Sequence, residues 1–184
     1  MEEDTNKAGK EGSFKLIFIV MIISVLIASF WNSIPLIKNS VGAILNPSAG
    51  ALLNWDLTLG MVILVFILSL FMTLVQKYTT DQKTMREMKE EQKRLQEEMK
   101  KFQAGSKEHT ELGMKSMKMM GPMFKLGMRP IIYTAIPIIL LFRWFADYFV
   151  LVDFRFFGFF SWFWFYLLGS IIFSSILRKI MKVV

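Results

Sequence analysis

Four apolar runs alternate with polar segments along the chain, and their lengths set the solvent in which it folds. The first, Phe14–Ile34, carries Lys15 near its start and Ser24, Ser29, Asn32 and Ser33 later, and it stops at Pro35. The second runs from Leu57 to Gln76 and has 18 consecutive uncharged residues between Thr58 and Val75. The third opens at Arg129-Pro130 and holds Pro137; the fourth begins at Ser161 and ends in Arg178 and Lys179. About 20 apolar residues cross a hydrocarbon core of roughly 30 Å. The pattern therefore predicts transmembrane helices at 14–35, 57–76, 130–150 and 161–178. The first run has the option of being a signal peptide, but it is long and no A-x-A-like cleavage site follows, which favours an uncleaved anchor. Residues 1–13 read as a disordered tail and 179–184 as a basic one. Asn46, Pro47, Gly50 and Asn54 mark 36–56 as an external loop or an interfacial helix with Trp55 at the interface, and 151–160 as an external turn around Gly158.

Between the second and third runs the pattern changes to charged and helical, over 77–120. Tyr78, Met85, Gln92 and Met99 share one heptad position, and Asp81, Met88, Leu95 and Phe102 the other. Ala104-Gly105-Ser106 reads as a reversal, after which Lys107–Met120 folds back. This predicts an antiparallel helical hairpin whose first arm, at about 27 residues, reaches about 40 Å; a single solvated helix is the other reading. Gly121-Pro122 is expected to break the helix and leave 121–129 as a separate Met-rich interfacial segment. Nine of the 14 methionines lie between Met85 and Met128. Unbranched, polarizable methionine repacks against varied apolar partners. Met114, Met117, Met120, Met123 and Met128 are the contact candidates, against ordinary hairpin packing with Lys115, Lys118 and Lys125 turned to lipid headgroups.

Charge then sets orientation. Of the 22 Lys and Arg, 13 fall between Lys77 and Arg129, whereas 35–56 holds only Lys38 and the last turn only Arg155. The positive-inside rule puts the charged segment and both termini in the cytoplasm of a multi-pass protein of the cell membrane. The net charge of +7 points first to anionic lipid and not to specific DNA. With no Cys and one His, thiolate chemistry is excluded and His-dependent chemistry disfavoured. No paired-carboxylate, metal or nucleotide pattern occurs, so neither enzymatic turnover nor a cofactor is expected.

Polar groups at bilayer depth are costly and tend to face protein or water. Ser69, Thr73 and Gln76 share one face of the second run, and Tyr166, Ser170 and Ser174 one face of the fourth. Thr134 and Arg143 are the polar members of the third, with Asp147 one turn beyond. Three striped helices enclose a hydrated groove, or else small residues simply pack the helices together. Arg143 either lines that groove, paired with Asp147, or snorkels with it to the outer interface.

The order of these parts resembles the YidC–Oxa–Get superfamily of membrane protein insertases, and its archaeal YidC-like branch most closely. The resemblance rests on Leu68–Gln82 (LSLFMTLVQKYTTDQ), Met119–Leu141 (MMGPMFKLGMRPIIYTAIPIILL) and Ser161–Lys179 (SWFWFYLLGSIIFSSILRK). It implies an all-α membrane protein with a three-helix core, here with an added N-terminal span, and a cytoplasmic antiparallel helical hairpin. It also implies insertion of client transmembrane segments through a hydrophilic groove between the core helices. The hairpin would meet a ribosome, a nascent membrane protein or a targeting factor, and a heteromeric partner subunit is possible. A departure is that the first core helix has no Lys or Arg before Lys77, where bacterial members carry a groove arginine. Two other functions remain open: a docking receptor or scaffold that recruits a cytosolic partner through the hairpin, and a small channel. The chain shows no inverted repeat or ring of acids that would favour the channel.

Overall fold

In a computed structural model, which describes residues 14–152 and 154–183, the chain is helical apart from short connections. The expected disordered tail at 1–13 lies outside the described residues. The elements are α1 (Phe14–Phe30), α2 (Pro35–Leu45), a π-helical turn (Asn46–Gly50), α3 (Ala51–Trp55), α4 (Leu57–Thr79), α5 (Gln82–Met99), α6 (Lys107–Val152) and α7 (Trp162–Met181). Helices α4, α6 and α7 are each long and apolar enough to cross a membrane. The pair α1 and α2–α3, bent by 94°, makes a fourth candidate if it is one broken span. The protein is thus a multi-pass, all-helical membrane protein with three to four candidate spans.

The first apolar run gives a shorter helix than its length predicts. α1 stops at Phe30, the chain turns over Trp31–Ser33, and Pro35 starts α2. Proline at the first helical position needs no N–H partner, so the residue expected to end the first run begins the second helix instead. The segment expected as loop or interfacial helix is largely helical and rests on α4 and α6. Gly60 lets α3 and α4 meet closely, because a Cβ there would collide with the Leu52 carbonyl.

Helix α6 overturns two expected breaks. It runs 46 residues, about 69 Å, through Pro122, Pro130 and Pro137 without interruption. Each proline removes one N–H and crowds the carbonyl four residues back, at about 3 kcal/mol in an isolated helix. Packing against α1, α2, α4 and α5 along its length overrides that local preference, and Pro130 is itself buried.

The charged segment is also shorter than the heptads predict. Thr80 is extended and ends α4, and Asp81 caps α5 by accepting from the Thr84 amide at 3.1 Å and its hydroxyl at 2.9 Å. The first arm is therefore 18 residues, about 27 Å rather than 40 Å. Tyr78 is exposed on the far side of this break and Phe102 lies past the end of α5, also exposed; neither belongs to the seam. What remains faces α6 in antiparallel register. Met99 lies against Gly113, Glu91 meets Lys115 at 3.3 Å, and Met85 lies against Gly127. Met85 and Leu95 are the buried anchors. Lys115 is thus committed to Glu91 and does not turn to headgroups. Partial desolvation raises the Glu91 carboxyl, but hydrogen bonds from Lys115 and Arg94 outweigh it and hold it below its ordinary range.

At the opposite end the core is aromatic. Trp31, Phe145 and Phe156 are fully buried, Phe149 stacks on Trp162 at 6.1 Å, and Phe156 on Phe165 at 4.3 Å. The turn from α6 to α7 is closed by a bridge between Phe156 and Phe160, with Phe157 and Gly158 both at positive φ.

Two outcomes check this account. Gly60→Ala should destabilise the protein by about 1–3 kcal/mol through overpacking, read as a lower melting temperature in detergent. Gly121→Ala, where nothing lies within 4 Å of a Cβ, should hold or raise that temperature by removing a flexible helix residue. Second, a carboxyl held below its ordinary pKa stabilises the fold at neutral pH, and that stabilisation is lost as the pH falls through the folded value. Amide protection around residues 91–95 should decline on acidification, and Glu91→Gln should flatten that dependence while lowering protection at neutral pH.

Candidate functional site

Each of the three core helices carries hydroxyls, and each mostly satisfies its own. On α4, Ser69 and Thr73 are both 2% exposed, and the Thr73 hydroxyl donates to the Ser69 carbonyl at 2.7 Å. On α6, Thr134 is equally buried and donates to the Pro130 carbonyl at 2.9 Å. On α7, Ser170 donates to the Leu167 carbonyl at 2.9 Å. Back-bonding to the same helix lets a hydroxyl sit in an apolar layer without a partner on another chain segment. The buried Ser69 and Thr80 hydroxyls have no such bond. Gln76 is half-buried at the end of α4, and its backbone carbonyl accepts from the Gln82 side chain at 3.0 Å.

The expected stripes do not converge on one open groove. Ser69, Thr73 and Thr134 point into packed interior. Tyr166 is an edge of an apolar chamber of about 230 Å³, walled by Leu68, Phe71 and Met72 of α4 and by Pro137, Ile138 and Leu141 of α6. Val41, Ile44 and Leu45 of α2 border it on a further side and leave it open along part of its rim. Ser170 and Ser174 lie instead on a shallow surface of α7 with Ser175 and Arg178. Helix α7 packs on α4, where Gly169 meets Val65 and Phe66 meets the Phe173 ring at 5.5 Å. Its contact with α6 is made chiefly by rings near the shared turn: Phe142 with Tyr166 at 4.9 Å, and Phe145 with Trp162 at 5.8 Å. The two helices are thus joined at one end and part towards the basic end.

Arg143 is half-buried, and its Nε is buried without a hydrogen-bond partner. The expected ion pair with Asp147 does not form. Asp147 Oδ2 accepts instead from Lys38 Nζ at 2.7 Å and Trp31 Nε1 at 2.9 Å. Both donors come from the α1–α2 corner, more than 100 positions away in the chain, so helical spacing could not reveal them. Two more long-range bonds accompany them: Trp144 Nε1 donates to Asn46 Oδ1 at 2.9 Å, and the Tyr148 hydroxyl to Asn54 Oδ1 at 2.7 Å. A second cavity of about 350 Å³ lies among these groups, on the other side of α2. The signal in the sequence was slight: Lys38 is the single cation of its segment, and Asp147 an acid in an apolar run.

Beyond the span, α6 presents its methionines outward. Met114, Met117 and Met120 are more than half exposed, as is Phe124, while Met123 and Met128 are half-buried. This apolar stripe belongs to the same helix that carries Thr134 and the chamber wall.

Comparison with known proteins places these features in a family. Residues 43–156 match the family model described as integral membrane protein EMC3/TMCO1-like, which covers more than half of the 184 residues. No curated protein and no solved structure matches the chain. The family is related to the YidC/Oxa/Get1 superfamily, but the match corrects the expected placement in the archaeal YidC-like branch. That placement rested on the order and hydrophobic layout of the spans, which do not distinguish one branch from another. With its charged α5, its proline-bearing α6 and the aromatic turn that follows, the chain belongs to the EMC3/TMCO1-like family of integral membrane proteins.

Proposed function

We propose that this protein helps client transmembrane segments enter the bilayer, acting as an insertase or intramembrane chaperone without enzymatic turnover. One observation carries the reading. A single unbroken helix exposes Met114, Met117, Met120 and Phe124 outside the span and, further along, forms a wall of the core between α4 and α7. An apolar segment held on the methionines would be led along the same helix to the place where α6 and α7 part. The main barrier to insertion is desolvation of the client's polar flank. The unpartnered Ser69 and Thr80 hydroxyls and the Arg143 Nε are polar groups that such a flank could pair with. Thr73, Gln76, Thr134, Tyr166, Ser170 and Ser174 would add to that lining when the helices separate.

In this arrangement four spans cross the cell membrane, and α5 with the start of α6 forms a cytoplasmic hairpin, both termini being cytoplasmic. The basic residues at that end suit anionic headgroups. A ribosome or targeting factor would deliver the nascent membrane protein, and a partner subunit would complete the assembly. The docking-receptor reading draws on a different observation, the solvated charged face of α5. Lys83, Glu87, Lys93 and Glu97 are there well exposed in loose i,i+4 pairs that contribute little to stability.

Photoreactive groups at Met117 and Met120 should crosslink to a nascent membrane protein during its synthesis; crosslinks to lipid alone would count against the proposal. Arg143→Leu should slow client insertion about tenfold, the effect of losing one charge-assisted hydrogen bond, with the amount of protein in the membrane unchanged. The docking-receptor reading expects no change in that variant.

A further inference from the structure

Helix α2 differs from the other helices in that none of its eleven residues is buried. The 94° bend separates it from α1, and the π-helical turn at Asn46–Gly50, which contains Pro47, interrupts the regular α-helical pattern while carrying the helix on to α3. A segment with so little buried surface next to a bend sits at the low end of local stability. The Lys38–Asp147 ion pair at 2.7 Å fastens it to α6, and the Asn46–Trp144 hydrogen bond at 2.9 Å fastens the π-helical turn just beyond it. It lies between two cavities. Lys38, Asn39 and Gly42 border the polar one, and Val41, Ile44 and Leu45, at i, i+3 and i+4, border the apolar chamber between α4, α6 and α7.

We propose that α2 is a latched, partial roof: the Lys38–Asp147 pair, buttressed by Trp31, holds it against the apolar chamber, which is open along part of its rim, and its release widens that opening towards the bilayer. The physical basis is a bistable contact. Lys38 shares a helical face with Val41 and Leu45, at i, i+3 and i+7, so losing the ion pair frees the side of α2 that meets the chamber, while the walls on α4, α6 and α7 keep their own contacts. The occupant admitted would be the apolar stretch of a client segment, a step that rests on the insertion role proposed above. Val41 and Leu45, both half-buried, stand in for that stretch while the roof is latched.

The chain has no cysteine, so introduced thiols are unique. Spin labels at Ile44→Cys and Ile176→Cys, both exposed positions, report the distance from roof to core in proteoliposomes of the full chain. Lys38→Met or Asp147→Asn should broaden that distance distribution, and the charge-reversed pair Lys38→Asp with Asp147→Lys should narrow it again. Single variants with the unaltered distribution would overturn the latch. In a separate Lys38→Cys, Asp147→Cys protein, a short disulfide-linked tether between the two thiols should reduce insertion of a reporter segment several-fold, and reduction should restore it. Equal insertion with the tether intact would overturn the role of the roof. If the native protein inserts nothing, the insertion role fails, and the spin-label distances still decide the latch.

Discussion

The structure depends on α6 staying helical through three prolines. An apolar layer offers no water to a carbonyl that has lost its helical donor, so a proline there is tolerated only where neighbouring elements hold the backbone in place. Here α1, α2, α4 and α5 all pack on α6, and each uses a different stretch or face of it. α5 takes the part beyond the span, through Met85, Leu95 and the Glu91–Lys115 pair. The α1–α2 corner takes the far end, through Asp147, Trp144 and Trp31. Only α7 is held mainly elsewhere, on α4, by the close approach of Gly169 to Val65. The core is thus a central mast with one member attached at a single end.

The two ends of this mast are stabilised by different physics. Near the turn, large rings pack edge-to-face and stacked, a geometry that adds to the burial of their area. Near the hairpin, methionine and leucine make a narrow seam flanked by exposed ion pairs, each of small value. The layer between them is sparsely polar, and its hydroxyls are mostly turned back on their own helices. That leaves the chamber beneath α2 apolar in spite of the serines and threonines nearby.

Much of this was legible in the sequence, for reasons specific to each element. The uncharged stretch from Thr58 to Val75 specified α4 by length alone, since hydropathy over 20 residues needs no knowledge of neighbours. The spacing of Met85, Leu95 and Met99 marked the seam because helical periodicity is local. What failed was non-local. Gly121-Pro122 and Arg129-Pro130 look like breaks until the packing around α6 is known. Tyr78 keeps heptad register with Met85, yet Asp81 caps a new helix between them. Ser69, Thr73 and Thr134 are polar in sequence but buried in the fold, and nothing in their spacing says that the Thr73 and Thr134 protons return to their own backbone while the Ser69 hydroxyl does not. Asp147 has a helical neighbour in Arg143, and its true partners, Lys38 and Trp31, come from the other end of the chain.

The aromatic turn between α6 and α7 has a mechanical consequence. Phe156 and Phe160 close that link tightly, and Phe142, Phe145 and Phe149 clamp Trp162 beside it. Sliding α7 along α6 would unstack all of these rings at once, whereas pivoting about them keeps most of the contacts. The pair therefore has the kinematics of a lever with its fulcrum at the turn. Along the 20 residues of α7, about 30 Å, a rotation of only about 10° displaces its basic end relative to α6 by about 5 Å, roughly half a helix diameter, and loads the α4 packing and the Arg86–Lys182 hydrogen bond that hold that end. Small angular strain at the fulcrum is converted there into a gap of side-chain dimensions at the basic end.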